Sequence, residues 1–453
     1  VFLVSCGALE SRLDANTYHS ERINIIQKLK STQWELKPLK FVAKFSKNLV
    51  SQNAENLVYV GLENIESNTG FYIETSEKES FGTAVHFQKG QVLFPKLRPY
   101  LNKVYLAEFE GLCSTEFHIL DSKIVDNRYL AIFLRLDVVV NQTKYLMSGN
   151  TLPRLQTSDI ENLLIPIPPL STQTQIVQLF AQAYESKKAK EAEAKRLLAG
   201  IDAYLLEKLG IRTITNSSQR TVSYSSNSHF FVKFSQVQGK RFDPFYHSDF
   251  FVQAEKQISL SKYKFVKLKT VIKQLKTGTT PHQSLQPYDD NEGIIFLRNS
   301  DLKPYSLDLS SVKFIKPEFE NLLTFSLKNE VIICIAGTVG TSAVNEFDEQ
   351  ISINQNITSI KLDATLINSH FLVAYLNSKL AIELTKRVCS VATIFYLNNE
   401  NLRNILIPLP PLSLQTEIAE HIQALRAEAK RLENEAKDEV MKAKMEVERL
   451  ILN

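Results

Sequence analysis

A few stretches of the 453-residue chain hold residue types that could do chemistry. Asp243-Pro-Phe-Tyr246 is close to the Asp-Pro-Pro-Tyr with which amino-methyltransferases hold a target amine, but position 245 is Phe and no Gly-rich cofactor loop precedes it. Gly337-Thr-Val-Gly340-Thr-Ser has the glycines of a phosphate-cradling loop without its lysine, and lies in β-like sequence. Glu428-Ala-Lys430 is nuclease-like only in composition, with no upstream acidic partner. His19 and His247 have no nucleophile or metal-ligand spacing around them, and a structural role is expected for both. Cys6, Cys113, Cys334 and Cys389 form neither a CxxC pair nor a zinc pattern, which suits reduced thiols in a cytoplasm. The expectation is a chain without catalytic residues, metal or cofactor.

The elements that carry these residues are organised by a duplication. Residues 163–176 read LLIPIPPLSTQTQI and residues 405–418 read ILIPLPPLSLQTEI, aligned without a gap at an offset of 242. A period this long marks a duplicated domain rather than a solenoid. Upstream, Arg12-Leu-Asp14 and Tyr18-His-Ser-Glu21 match Arg241-Phe-Asp243 and Tyr246-His-Ser-Asp249. Because the Arg-x-Asp pair repeats in both halves, an ion pair or a docking role is expected of it. Phe245 and Tyr246 align with no second Asp-Pro-Pro-Tyr, since the partner stretch is Asp14-Ala-Asn-Thr-Tyr18. The start Val1-Phe-Leu-Val-Ser-Cys6 looks like the end of a lipoprotein signal, yet it aligns with mid-chain sequence from Phe230, so both are read as short strands.

A helix is expected around 21–30. Apolar positions 34, 36, 39 and 42 recur at 263, 265, 268 and 271 as one preserved face. Between 50 and 122, and between 275 and 363, short β-rich runs are broken by Gly, Pro and Asn, with strands expected at 57–62, 83–87, 92–94 and 104–109, then at 293–298, 312–315, 331–335 and 357–362. The halves diverge most here, and the offset grows from 229 to 242. Arg128-Tyr-Leu-Ala-Ile-Phe-Leu134 and His370-Phe-Leu-Val-Ala-Tyr-Leu376 begin amphipathic helices. Residues 211–228, rich in Ser, Thr and Asn, read as a linker.

After each Pro-Pro-Leu-Ser, with Ser171 or Ser413 as the expected N-cap, a helix of about 40 residues follows. Ile176, Phe180, Ala183, Ala194, Leu197, Ile201 and Tyr204 form a narrow seam on the first, interrupted by Lys187 and Lys190. Ile418, Ile422, Leu425, Ala429, Leu432, Ala436 and Ala443 do so on the second, with Val440, Val447 and Leu450 taking over after a drift. Alternating three- and four-residue steps are a coiled-coil signature, and the natural partner of each rod is its twin. The fold expected is α+β: two mixed α/β domains joined by two long helices in an antiparallel coiled coil, a pseudo-two-fold repeat. The limits are 1–165, 166–210, 211–228, 229–407 and 408–453. Between 171 and 210 there are 6 basic and 5 acidic residues, and between 413 and 453 there are 7 and 9, so the rods carry −1 and the rest of the chain +5. That excess suits moderate contact with a polyanion. No apolar run approaches the length of a membrane span.

This pattern resembles the specificity subunit of type I restriction-modification systems over nearly the whole chain. The resemblance rests on the two helix starts, Ile165-Pro-Ile-Pro-Pro169-Leu-Ser171 and Ile407-Pro-Leu-Pro-Pro411-Leu-Ser413. It also rests on Lys96-Leu-Arg98-Pro-Tyr100-Leu-Asn-Lys103, Gly278-Thr-Thr-Pro281, Ala336-Gly-Thr-Val-Gly340 and Ile353-Asn-Gln-Asn356. It implies a non-catalytic reader of double-stranded DNA in which each head recognises half of an asymmetric bipartite site. The helices act as a ruler and dock two methyltransferase subunits, to which motor-nuclease subunits add. The alternatives are the similar subunit of a multi-chain type II system, a self-contained methyltransferase or nuclease, and a coiled-coil tether that binds no DNA. Arg and Lys read guanine and bind phosphate, while Asn and Gln pair with adenine. The DNA-contact candidates are therefore Lys96, Arg98, Tyr100, Lys103, Ser148, Asn150 and Arg154 in the first head. In the second they are Thr279, Thr280, Arg298, Asn299, Asn354, Gln355 and Asn356. Tyr100 is placed either to stack on a base or to pack.

Overall fold

A computed structural model describes residues 14–51, 57–75, 83–149, 151–212, 245–289, 292–391 and 395–452. Its contacts divide the chain into two units, Val1–Ala192 with Leu432–Asn453, and Glu193–Arg431. Each unit therefore holds one head, part of the first long helix (Leu170–Lys208) and part of the second (Leu412–Leu452). Among the described residues no helix is long and apolar enough to cross a membrane.

In the first unit a four-stranded antiparallel sheet runs in the order Ala43–Ser46, Phe117–Ser122, Val92–Pro95, Tyr105–Leu106. Against it lies a second sheet, Asn48–Ser51, Thr83–Phe87, Gly111–Ser114, Val58–Val60, whose last pair is parallel. The second unit repeats the first sheet strand for strand as Ile272–Thr277, Ile357–Leu362, Val331–Cys334, Ser342–Val344. Its other sheet keeps the parallel pair, Ile294–Leu297 on Ile351–Ile353, but extends beyond Ile294–Leu297 with Lys313–Ile315 and Tyr288–Asp289. The extra length of the second half is thus spent partly at a sheet edge, where added strands disturb no core pairing.

The apolar positions expected to share a face do not form one element. Glu35–Pro38 is a strand, Leu39–Val42 a helical turn and Ala43 begins the next strand; in the second unit Phe265–Lys267 and the 3-10 turn Leu268–Thr270 follow the same path. Leu39, Val42, Leu268 and Val271 are buried. The helices Asn127–Leu134 and Ser369–Leu376 are not amphipathic, because Tyr129 to Leu134 and Phe371 to Leu376 are all buried. Each is a core helix whose last six residues are buried, with only its first turn reaching solvent.

The proline-rich runs are strands. Leu164–Ile167 pairs antiparallel with Glu35–Pro38, and Leu406–Pro408 with Phe265–Lys267. The long helices begin at Leu170 and Leu412, two residues before the start that an N-cap at Ser171 or Ser413 implies, so these serines are helical rather than N-caps. The reason lies in the second prolines: the carbonyls of Pro169 and Pro411 accept the N–H groups of Gln173 and Gln415 at 3.0 and 3.1 Å and open the helical ladder. The same two glutamines, both buried, fix helix to head. Gln173 Oε1 accepts the Asp126 N–H at 2.8 Å while its Nε2 donates to Pro168 O at 2.8 Å. Gln415 Oε1 accepts the Asn368 N–H at 2.8 Å, and its Nε2 donates to Pro410 O and Leu366 O at 2.8 and 3.1 Å. Asp126 and Asn368 cap the two core helices, so one amide ties cap, proline strand and rod together in each unit.

Within each unit the two helix segments run antiparallel. In the first, Lys190 Nζ reaches Glu435 and Glu439 at 3.0 and 2.6 Å; in the second, Lys208 reaches Glu417 at 2.6 Å and the Tyr204 ring meets His421 at 4.2 Å. Ile176, Phe180, Ile201, Ile418, Ile422 and Ala436 are buried, while Ala183, Leu197, Tyr204, Leu425 and Leu432 are half-buried. Lys187 does not interrupt the seam. It is buried there, with its ammonium on Glu66 at 3.2 Å and over the Phe71 ring. At the far end Val447, Ile451 and Leu452 are buried, whereas Leu450 is half-buried. They join the core of the first head, and the last turn is held by Thr32 Oγ1 on Ile451 O and by Trp34 Nε1 on Leu450 O at 3.2 Å. Ile201, Leu205, Leu206 and Leu209 close the core of the second head in the same manner.

Candidate nucleic-acid interface

In the first head four candidates come together where three segments meet. The strand Val92–Pro95 runs out into Lys96, whose N–H donates to Glu116 O at 2.8 Å and whose carbonyl accepts from Leu155 N at 3.0 Å. Leu97 and Ser148 both bridge to Arg154, and Arg98 N donates to Pro153 O at 2.8 Å. This places Lys96, Arg98, Ser148 and Arg154 on one small platform. Arg98 is exposed and takes a left-handed conformation, φ 48°, directly before a proline. A non-glycine residue there is strained by about 1 kcal/mol or more. Arg154 is braced by Glu116 in a two-pronged pair at 2.9 and 3.1 Å. Burial, only partly offset by Glu116, holds the Lys96 ammonium below the usual lysine range. Beside it His118 is pushed down to about 4, by burial first and then by Lys96 and Lys47, so the imidazole is neutral near pH 7. Tyr100 stands exposed on the following turn. Lys103 is turned away, its ammonium on Leu62 O at 2.8 Å. Asn150 lies outside the described residues.

The second-head candidates gather at the matching end of its sheet. Gly278 lies so close to the turn 353–356 that a Cβ would sit 2.1 Å from Asn354 O, and only glycine permits this approach. It carries Thr279 and Thr280 onto that turn. Thr279 N donates to Ile353 O at 3.1 Å and its hydroxyl to Leu322 O at 2.7 Å, and the Thr280 hydroxyl donates to the Gln355 side chain. Asn354 is buried and its side chain accepts the Asn356 N–H at 3.2 Å, which shapes the turn, while Gln355 is exposed. Asn299 faces Gly337 from the next loop. Arg298 is used by its own loop: its guanidinium holds Asp301 twice at 2.9 Å and Ser311 O at 2.8 Å.

Sequence reasoning passed over Lys47 and His118 in the first head and Tyr396 and Asn399 in the second. Asn399 exchanges hydrogen bonds with Thr277 at 3.1 to 3.2 Å, as Thr157 meets His118 at 3.3 Å in the first head. The offset of 242 that aligns the helix starts carries Arg154 onto Tyr396 and Thr157 onto Asn399, and was the available signal.

The stretches with enzyme-like spelling have ordinary structural work. Tyr246 lies under the Arg387 guanidinium at 4.2 Å, and Asp243 and Pro244 lie outside the described residues, as do Arg12, Leu13, Arg241, Cys6 and most of the linker. Gly337 to Gly340 turns between strands, not into a helix. Glu428 pairs with Arg431 on the rod. Asp14 caps the turn Ala15–Tyr18, and the His19 ring stacks on Tyr145 at 4.0 Å. Cys113, Cys334 and Cys389 are buried thiols. Among the described residues no group of three or more His, Cys, Asp or Glu could hold a metal ion.

Two similar α/β heads, each fused to an antiparallel pair of helix segments and each ending in a polar platform, define a class of internally duplicated two-headed proteins. The chain belongs to the family described as type I restriction modification DNA specificity domain, which it matches over residues 32–196 and 261–442. It is 29% identical over 150 residues to the type I restriction enzyme EcoDI specificity subunit of Escherichia coli, covering 32% of this chain and 34% of that protein. To the EcoBI specificity subunit of the same organism it is 22% identical over 305 residues, 64% of this chain and 56% of that one. The matches thus span about a third to a little over half of those relatives. A solved structure described as the structural basis underlying complex assembly and conformational transition of the type I R-M system shares the fold. It has a TM-score of 0.50 and 20% identity, covering 92% of this chain and 96% of that one.

Proposed function

We propose that this chain is the non-catalytic DNA-reading subunit of a type I restriction-modification complex of the prokaryotic cytoplasm. Residues 1–165 and 229–407 are the two heads, and each reads one half of an asymmetric bipartite site. The observation that carries this is the duplication itself: one backbone, mounted identically on a long helix in each unit, with different polar side chains at the platform. Lys96, Arg98, Tyr100, Ser148, Asn150 and Arg154 contact one half-site; Thr279, Thr280, Asn299, Gln355 and Asn356 contact the other, on a turn that the buried Asn354 shapes. At about 1.5 Å per residue the helices, of 39 and 41 residues, are roughly 60 Å long. That exceeds the turn of about 34 Å by which half-sites on one DNA face are separated. Helices of this length are long enough to set the spacer.

Two methyltransferase subunits dock on the chain, and motor-nuclease subunits join through the complex. Support for two equal docking places comes from exposed apolar residues that recur at matched positions, Ile124 and Leu170 in one unit and Leu366 and Leu412 in the other. The test is methylome sequencing of a host that expresses this chain with its methyltransferase. One modified motif with two unlike halves and a fixed gap is expected. Absence of any sequence-specific modification, with the complex assembled, overturns the reading.

A further inference from the structure

The platforms of the two heads superpose by hydrogen bonding, not merely by fold. Lys96 N meets Glu116 O at 2.8 Å, and Ile335 N meets Asn356 O at 2.8 Å. Leu155 N meets Lys96 O at 3.0 Å, and Leu397 N meets Ile335 O at 2.9 Å. The bridge of Leu97 to Arg154 is that of Ala336 to Tyr396, and Ser148 faces Arg154 as Ser390 faces Tyr396. Four backbone relations thus give one correspondence: Glu116 with Asn356, Arg154 with Tyr396, and Arg98 with Gly337. The last pair confirms the register independently, because both residues have positive φ, 48° and 84°.

The side chains at these places differ in kind. The first head shows a guanidinium steadied by a carboxylate, with a second, strained arginine beside it. The second shows an aromatic phenol, an amide and a glycine that leaves room. The Arg154 side chain is 43% exposed and Tyr396 is 47% exposed, so each presents much of its surface outward from a fixed backbone. Both residues are about half exposed and neither belongs to the buried core.

We infer that Tyr396 is a specificity-determining residue of the second head, acting with Asn356 at the place that Arg154 and Glu116 occupy in the first. This rests on the proposed reading of DNA by both heads. The chemistry follows the groups present. A guanidinium fork offers two parallel donors and suits the O6 and N7 acceptors of guanine, with Glu116 holding its plane. An amide suits the N6 and N7 edge of adenine, and a tyrosine ring suits a thymine methyl or a splayed base. The two halves of the site therefore differ at the base pairs that these two positions face.

The experiment uses the full chain assembled with its methyltransferase and a duplex library with both half-sites randomised. Wild-type complex that selects no motif defeats the reading of the chain as a DNA-specificity subunit. Given a wild-type motif, Tyr396→Ala and Asn356→Ala are each expected to relax discrimination at one or two base pairs of one half-site by roughly 5- to 100-fold. Arg154→Ala is expected to relax base pairs of the other half. The half-site read by the untouched head reports in the same selection that the chain is folded. Tyr396→Phe, which keeps the ring and the packing, separates loss of the hydroxyl from loss of shape. If Tyr396→Ala retains the wild-type preference at every base pair while the complex still binds, the inference is overturned. It is also overturned if Tyr396→Ala weakens all sequences equally, which would make Tyr396 a backbone-positioning contact.

Discussion

Arg98 sits in a left-handed conformation that its counterpart in the second head leaves to Gly337. The first head keeps a long cation where glycine would relieve the backbone, which fits the proposed DNA contact there. Arg98→Gly is therefore expected to leave the first head as stable or more stable by about 1 kcal/mol, while weakening binding of the assembled complex to DNA. Thermal unfolding and a binding titration at fixed salt, run side by side, test the pair of effects; loss of stability with unchanged binding contradicts it. His118 provides a second residue-level expectation. Its folded pKa is about 4, below the ordinary 6.5, so the unfolded chain binds the proton more readily. The stability associated with the neutral ring is whole above about pH 6.5 and is lost as pH falls toward 4, with no further loss below that. The melting temperature of the first head should drop across this window, and His118→Gln should flatten the dependence.

Gln173 and Gln415 act at the scale of elements, since each joins a core helix, a proline strand and a rod. Gln415→Ala leaves the partly buried Asn368 N–H and two carbonyls without that partner, and is expected to destabilise the second unit by about 1–3 kcal/mol. Hydrogen exchange of Ser369–Leu376 should accelerate accordingly, and unchanged protection there would contradict a joining role. The helix starts were legible in the sequence because proline acts locally on its own backbone, and the seam because its period is written in the chain. The job of the glutamines was not legible, although both letters were in the aligned stretch, since their partners lie about 47 residues away. Lys187 read as a break for the same reason: Glu66, which makes its burial tolerable, comes from a loop 121 residues earlier. Of the candidate site, the polar residues that the structure gathers on the Lys96 and Asn354 turns stood close together in the sequence. Tyr396 carries no signal of its own type and was legible only through the offset of 242 that aligns it with Arg154, a register that its bridge to Ala336 repeats in the structure.

At the scale of the molecule the two helices of 39 and 41 residues are the proposed ruler. Insertion of four residues, about one turn, into both in register keeps their seam and lengthens the pair by about 6 Å. The preferred gap between half-sites should grow by about two base pairs, with neither half-site altered, given one base pair per about 3.4 Å. An unchanged gap in the methylome of the variant would remove the ruler.

The second helix ends inside the core of the first head, where Val447, Ile451 and Leu452 pack and Thr32 and Trp34 hold its last carbonyls. This has a consequence in time. When the first long helix leaves the ribosome at Lys208, the residues that complete the first head are still about 240 codons away. At about 5–20 residues per second that is a wait of roughly 10 to 50 s. During it the core that Leu29, Ile176 and Phe180 share with Val447, Ile451 and Leu452 is still incomplete. The first head is begun first, and its core is closed only after the second head has been made.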